Sequence, residues 1–284
     1  MINTHDIESI FSVCLRFYTH RIALKLNKET GVKWYQFWVD PFSNRNNCNI
    51  IWKIGAQKVE RKLLSAASTV FALPEVFSNS EIIHDYKHKL VTFEIPYLID
   101  REVRTTNDDI VFAGGFLKGI RDPEPVLDLL VSVCNQIRSG IKFHFYIKGK
   151  EKYEDYHKKS QGKICFFDYV GHEELYSILG SSYMLLNIGN AGSIQMPSKT
   201  VEYVSFRKPL LFFYKDGQDP SLRYLDEYPD ICRINVEDDF EENVQKINCF
   251  LNRSHENIQY DDLLKTKCYF ESTPDYIKNQ LLTS

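Results

Sequence analysis

Residues 109–115 read DIVFAGG, and residues 184–203 read MLLNIGNAGSIQMPSKTVEY. In each, an apolar strand-like run feeds a loop of glycines and small residues that opens into a helix. The chain between them alternates in the same way. A helix over 122–138 has Pro123 at a tolerated early position, and strands over 142–148 and 163–167 flank a short helix over 151–159. A helix over 172–181, a second over 199–206 and a strand over 210–213 continue the pattern. Strands repeatedly separated by helices predict a parallel sheet covered on both faces, joined by right-handed crossovers. In such sheets ligands bind at the carboxyl ends of the strands. Both quoted loops leave from that edge.

The first third also reads as α/β. Residues 6–28 carry Ile10, Val13, Leu15, Phe17, Ile22, Leu24 and Leu26 and are read as one long helix or two, ended by Gly31. The run WYQFWV at 34–39 is a strand stopped by Asp40-Pro41. A helix over 53–67, a strand over 69–73, a short helix over 75–86 and a strand over 89–93 follow. The polar run DREVRTTNDD at 100–109 lacks periodicity and marks the domain boundary, giving domains of residues 1–105 and 106–284. In the tail, helices are expected over 240–251 and 274–282. With Tyr224, Tyr228, Tyr260, Tyr269 and Phe270 around them, they are expected to pack at the domain junction.

Composition narrows the function. The 284 residues are 43% hydrophobic and 26% charged, with a net charge of -3, which describes an ordinary core and no basic face for nucleic acid. Lys148, Lys150, Lys152, Lys158 and Lys159 are interleaved with acids and read as a solvated helix face. Seven cysteines, without a CxxC pair and with Cys14, Cys134 and Cys165 in apolar runs, point to buried thiols and a reducing, cytoplasmic compartment. The opening MINTHDIESI is not a signal peptide, and no run approaches ~18 apolar residues. Peripheral association with the inner face of a membrane stays open. The eight histidines are scattered, and His84 with His88 reads as a surface pair, so no metal is expected.

Four features can carry chemistry. Gly114-Gly115 follows a strand, where glycine lets backbone approach a ligand, and Arg121 can grip a phosphate in two-pronged fashion. The competing reading pairs Arg121 with Asp122 or makes it a helix cap. In the second loop Lys199 can meet phosphates and Glu202 can accept from paired ribose hydroxyls. Otherwise Lys199 lies in solvent and Glu202 complements the helix dipole. Tyr169-Val170-Gly171-His172 offers backbone to a planar base, or is a plain helix start. Asp40, at the end of its strand, can touch an acceptor hydroxyl or cap residues 43–47; His20 is the other polar residue of note there. No GxGxxG and no GxxxxGK[ST] motif occurs.

Taken in order, VFAGGFLKGIRDPEPVLDLL, YVGHEELYSILGSSYMLLNIG and MPSKTVEYVSFRKPLLFF resemble the donor-binding half of a retaining GT-B glycosyltransferase. The closest group is the large glycosyltransferase family 4-like one of sucrose synthase-like and bacterial polysaccharide-biosynthesis enzymes. The run HRIALKLNKETGVKWYQFWVDP, with TVFALP after it, resembles the later part of such an enzyme's acceptor domain. The resemblance implies an α/β, GT-B-like fold: two Rossmann-like parallel-sheet domains facing across a cleft, the first shortened because the chain is read as opening on a helix. It implies a hexosyltransferase that moves a sugar, with retention, from a nucleotide-diphosphate donor to a saccharide or lipid-linked acceptor, without metal or cofactor. Carried over, Gly114 and Gly115 lie at the diphosphate, Arg121 and Lys199 clamp it, Val170 and Gly171 frame the base and Glu202 binds the ribose. Arg121, Lys199 and Asp40 are then the catalytic set. The family's E-x-x-G-x-x-x-x-E arrangement is incomplete here, with Asn190, Gly192 or Ser193 in the region of its first acid. The alternatives are a non-catalytic GT-B-like binding or assembly subunit, one completed by a partner subunit, and a nucleotide-sugar epimerase.

Overall fold

The computed structural model describes residues 7–14, 18–40, 42–43, 49–137, 140–192 and 195–283. The chain divides into two compact units, Met1–Pro96 with Glu271–Ser284, and Tyr97–Phe270.

The first unit holds β1 (Ser9–Val13), α1 (Tyr18–Thr30), β2 (Lys33–Trp38), α2 (Ile50–Ala66), β3 (Thr69–Ala72), α3 (Pro74–Asn79), α4 (Glu81–His84) and β4 (Leu90–Thr92). Its four strands are parallel and lie in chain order β1-β2-β3-β4. The expected helix over 6–28 is therefore corrected at its start: the described chain opens on a strand. Ser9–Val13 pairs with Lys33–Phe37, and burial alternates, Ser12 at 6% exposure against Phe11 at 44%. The buried position is polar, which hides the strand from a search for apolar alternation. Ser12 is tolerated inside because its hydroxyl accepts from Trp34 Nε1 at 2.8 Å and bonds His20 Nδ1 at 2.7 Å. Leu15, Phe17, Pro41, residues 44–47, Arg138 and Ser193, all assigned to expected features, lie outside the described residues.

The second unit holds β5 (Asp109–Ala113), α5 (Glu124–Cys134), β6 (Lys142–Tyr146), α6 (Glu154–Lys159), β7 (Ile164–Phe167), α7 (His172–Ser181), β8 (Met184–Ile188), α8 (Ser198–Val204), β9 (Leu210–Tyr214), α9 (Pro220–Tyr224), β10 (Ile231–Asn235), α10 (Phe240–Leu251) and α11 (Tyr260–Leu263). α12 (Lys267–Glu271) and α13 (Pro274–Thr283) follow. All six strands are parallel, in the order β10-β9-β8-β5-β6-β7. Chain order reverses between β5 and β8, the doubly wound arrangement in which a crevice opens at the carboxyl ends of the two central strands. Phe112, Phe143, Phe145, Leu186, Leu211 and Phe213 fill the core. β10 is assigned no element from the sequence, although Cys232 and Ile234, its buried side chains, alternate with half-buried Arg233 and Asn235.

Residues 97–105 join the second unit, so the structural division falls nine residues before 105/106 and the last 14 residues return to the first unit. The polar run is an extended strap. Ile99 N–H donates to Ser205 Oγ at 3.3 Å, Arg104 N–H to Gly180 O at 3.1 Å and Thr106 N–H to Ser181 O at 2.9 Å. Lys208, 1% exposed, donates to Thr105 Oγ1 at 2.9 Å and to Ser182 O, and burial lowers its pKa to about 8.

Candidate functional site

The loop after β5 begins with Gly114, whose N–H donates to Tyr146 O at 3.2 Å. A Cβ on Gly114 would lie 3.2 Å from Phe112 Cζ, and one on Gly115 would lie 3.5 Å from the Tyr169 hydroxyl. The loop after β7 thus reaches the loop after β5. The chain next folds into a tight turn, in which Leu117 N–H donates to Arg121 O at 3.1 Å and Arg121 N–H to Leu117 O at 2.6 Å. Gly119 holds φ +80°, a left-handed conformation suited to glycine, and its N–H donates to Asp122 Oδ1 at 2.7 Å. Arg121 consequently closes a turn three residues before α5 rather than opening the helix, and Asp122 is spent on the turn.

The Arg121 side chain folds back over this edge. Nη1 donates to Gly115 O at 3.2 Å and Nη2 to Asn190 Oδ1 at 2.7 Å, while Nε is buried without a hydrogen-bond partner. Burial lowers the guanidinium's pKa, opposed by Tyr203, Asp219 and Tyr169 nearby. The group stays charged at any ordinary pH.

The loop after β8 supplies the other side. A Cβ on Gly189 would lie 1.9 Å from Asp219 Oδ2, so only glycine fits. Asn190 N–H donates to that Oδ2 at 2.7 Å, Ser221 N–H donates to Asp219 Oδ1 at 2.8 Å, and Ala191 N–H donates to Ile120 O at 2.7 Å. These bonds tie the loops after β5, β8 and β9 together. Burial raises the Asp219 pKa, while its bonds to Ser221 and Asn190 and the charge of Arg121 pull it down.

Lys199 and Glu202 meet each other. Their ion pair on α8 spans 2.6 Å, with the Glu202 side chain buried and that of Lys199 about one third exposed. Tyr203 fixes α8 to the end of β5: its hydroxyl accepts from Ala113 N–H at 2.7 Å and donates to Ala113 O at 3.2 Å. Burial raises that hydroxyl's pKa, Glu202 raises it and Arg121 lowers it, so both charges lie within electrostatic range of one buried phenol. Gly171 caps α7 with open space where a Cβ would be, and Val170 beside it is half-buried.

Asp40 lies in the first unit, two residues beyond the end of β2 and half-buried. The carboxyl edge there is organised by Glu60 of α2, 1% exposed, which accepts from Ser43 N–H at 3.1 Å and from the Ser80 hydroxyl at 3.0 Å. A cavity of about 480 Å³ beside it is lined by polar groups, among them Gln57, Ser78, Asn79 and His84.

No protein-family model matches the sequence, and no curated protein does. Solved structures do. TarM superposes on 88% of the chain with a TM-score of 0.52 at 12% identity, and the chain spans about half of it, 48%. The lipopolysaccharide outer core galactosyltransferase WaaB covers 95% of the chain, which takes up 75% of its length, at 13% identity and a TM-score of 0.54. A putative UDP-N-acetylglucosamine 2-epimerase from Listeria monocytogenes covers 95% against 70%, at 12% identity and 0.54. The fold is GT-B-like. Two Rossmann-like parallel-sheet units, as the resemblance implies, are what the chain builds.

Within this GT-B-like chain, the structure brings Gly114, Gly115 and Arg121 together and pairs Lys199 with Glu202, while Asp40 belongs to the other unit. Asp219 carries no signal in the sequence, and Tyr169 is marked there only through its backbone, beside Val170 and Gly171. The one signal for Asn190 was its place in the region of the missing family acid. Among the described residues no group of three or more His, Cys, Asp or Glu is placed to hold a metal ion. None of the described helices is long and apolar enough to cross a membrane.

Proposed function

We propose that this protein is a glycosyltransferase that binds a nucleotide-diphosphate sugar at the carboxyl edge of the second unit and transfers the sugar to a saccharide or lipid-linked acceptor. The observation that carries the reading is Arg121. It is a part-buried cation at the reversal between β5 and β8, held by neutral acceptors beside two glycines packed against Phe112, Tyr169 and Arg121 itself. In this reading the diphosphate lies against Gly114 and Gly115, with Arg121 and the exposed part of Lys199 facing it. Glu202 takes the ribose hydroxyls with the oxygen not given to Lys199, and the base rests along Val170 and Gly171.

Chemistry follows from charge. The acceptor oxygen bonds to the anomeric carbon on the face from which the diphosphate departs, that carbon's bond to the diphosphate oxygen breaks with its electrons leaving on the diphosphate, and the acceptor hydroxyl's proton passes to the departing diphosphate oxygen. Negative charge grows on the leaving group and oxocarbenium character on the sugar. Fixed donors and cations aimed at the diphosphate stabilise that change without reorganising. Asp40 is the proposed partner of the acceptor hydroxyl, and the polar cavity beside Glu60 the place where acceptor sugar hydroxyls are held. Retention is what the family resemblance implies, and no metal is needed where cations neutralise the leaving group.

The test is calorimetric titration with UDP, GDP and their sugars. Binding by wild type, lost in Arg121→Ala, is expected, and absence of binding at millimolar concentration overturns the reading. Likeness to the putative epimerase supports a second reading with the same donor site. Product analysis separates them, since an epimerase alters the sugar without an acceptor.

A further inference from the structure

Arg121 is held in an unusual way for a part-buried cation. Both terminal nitrogens are given to neutral oxygens, a main-chain carbonyl and a carboxamide, and no described carboxylate forms an ion pair with it. The amide of Asn190 must turn its oxygen toward Arg121, because a guanidinium offers only donors. The nearest organising acid, Asp219, stands one link back. Its carboxylate, 3% exposed, takes the main-chain N–H of Asn190 rather than the guanidinium, and packs against Gly189 where no Cβ could stand.

Replacing that carboxamide by a carboxylate of the same shape would change one thing, charge. A carboxylate at 190 would form a charge-assisted pair with Arg121 and neutralise it. Leaving a buried cation without an anionic partner costs folding free energy, and the same low-dielectric setting strengthens its pull on any anion that arrives. A carboxamide in this place aims the guanidinium and leaves its charge unspent.

We propose that Asn190 and Asp219 are positioning residues that keep Arg121 aimed at, and free of a hydrogen-bonded carboxylate for, a phosphate-bearing anion, Asn190 directly and Asp219 by holding the Asn190 main chain. The inference deepens the donor-site reading above and rests on it for the identity of the ligand, though not for its charge.

The experiment measures inorganic pyrophosphate and UDP binding by calorimetry, with thermal unfolding, for wild type, Asn190→Asp, Asp219→Asn and Arg121→Ala. Asn190→Asp is expected to weaken pyrophosphate at least tenfold while raising the unfolding temperature, because the new carboxylate pairs with the buried cation. A purely structural residue cannot move affinity and stability in opposite directions. Asp219→Asn keeps one acceptor and loses the other, so binding is expected to weaken severalfold with Arg121 still charged. Unchanged pyrophosphate affinity in Asn190→Asp overturns the proposal, as does a loss of affinity that merely follows a loss of stability. If pyrophosphate binds in an Asn190-dependent way and no nucleotide binds, the proposal stands and the nucleotide-sugar reading falls. If UDP binds equally to wild type and Asn190→Asp, the reading stands and the proposal falls. Binding of neither probe removes both.

Discussion

The two units use the same parallel architecture and solve their carboxyl edges in opposite ways. In the first, four strands follow chain order, and a buried acid, Glu60, gathers an N–H and a hydroxyl from the segments after β2 and β3. In the second, chain order reverses between β5 and β8, and a part-buried cation, Arg121, gathers a carbonyl and a carboxamide. A reversal sends the two central crossovers to opposite faces of the sheet and leaves a crevice between their loops, so charge placed there faces that crevice. A sheet in simple chain order offers loops without that crevice, and its buried charge is consumed in holding them. One edge is built around a part-buried cation held by neutral acceptors, the other around a buried acid that ties its own segments together.

The largest expected effect tests whether the first unit depends on its buried polar groups. His20, 0% exposed, has its pKa lowered by burial from 6.5 to about 4. The unfolded chain therefore binds the proton first as pH falls, and stability is full above pH 6.5 and lost as pH drops through 4. By linkage the loss is about 3 kcal/mol. Urea unfolding at pH 7 and pH 4 should show it, and His20→Gln should flatten the slope in that window; an unchanged slope means another group titrates there.

Next is Arg121→Ala, expected to weaken nucleotide diphosphate binding roughly 100-fold, the scale of hydrogen bonds to a charged group. The acid-dependence assigned to His20 should survive, and a variant that shifted both would mean that the two edges are not independent. Gly189→Ala follows, at about 2 kcal/mol, because the added methyl must displace the Asp219 carboxylate or the backbone. Chemical denaturation measures it, and a cost near zero would show that the loop after β8 yields freely. The smallest is Glu60→Gln, about 1.5 kcal/mol of stability from weaker bonds to Ser43 and Ser80, with donor binding unchanged. Loss of donor affinity in that variant would end the division of labour between the two edges.

Legibility followed the range of the interaction. α7 and α10 are read correctly to the residue, because apolar runs and loop residues mark them locally. β1 is not, since its one fully buried side chain is the polar Ser12, which becomes intelligible only when β2 lies beside it. At the site, Gly114, Gly115, Arg121 and Glu202 can be selected from glycine position and charge. Their partners cannot. Arg121 was expected to choose between Asp122 and a ligand, and Asp122 is instead held by Gly119.

By itself, then, the sequence determined that residues 109–213 alternate strand and helix, and that glycines and a cation stand at the ends of strands. Local periodicity and side-chain type suffice for that. Only the tertiary structure decided that Arg121 binds Asn190, 69 residues away, that Asp219 stands behind Asn190, and that Lys199 is already paired. The physical reason is that hydrogen bonds and desolvation depend on which loops the strand order brings together, and the reversal between β5 and β8 is a property of the folded sheet.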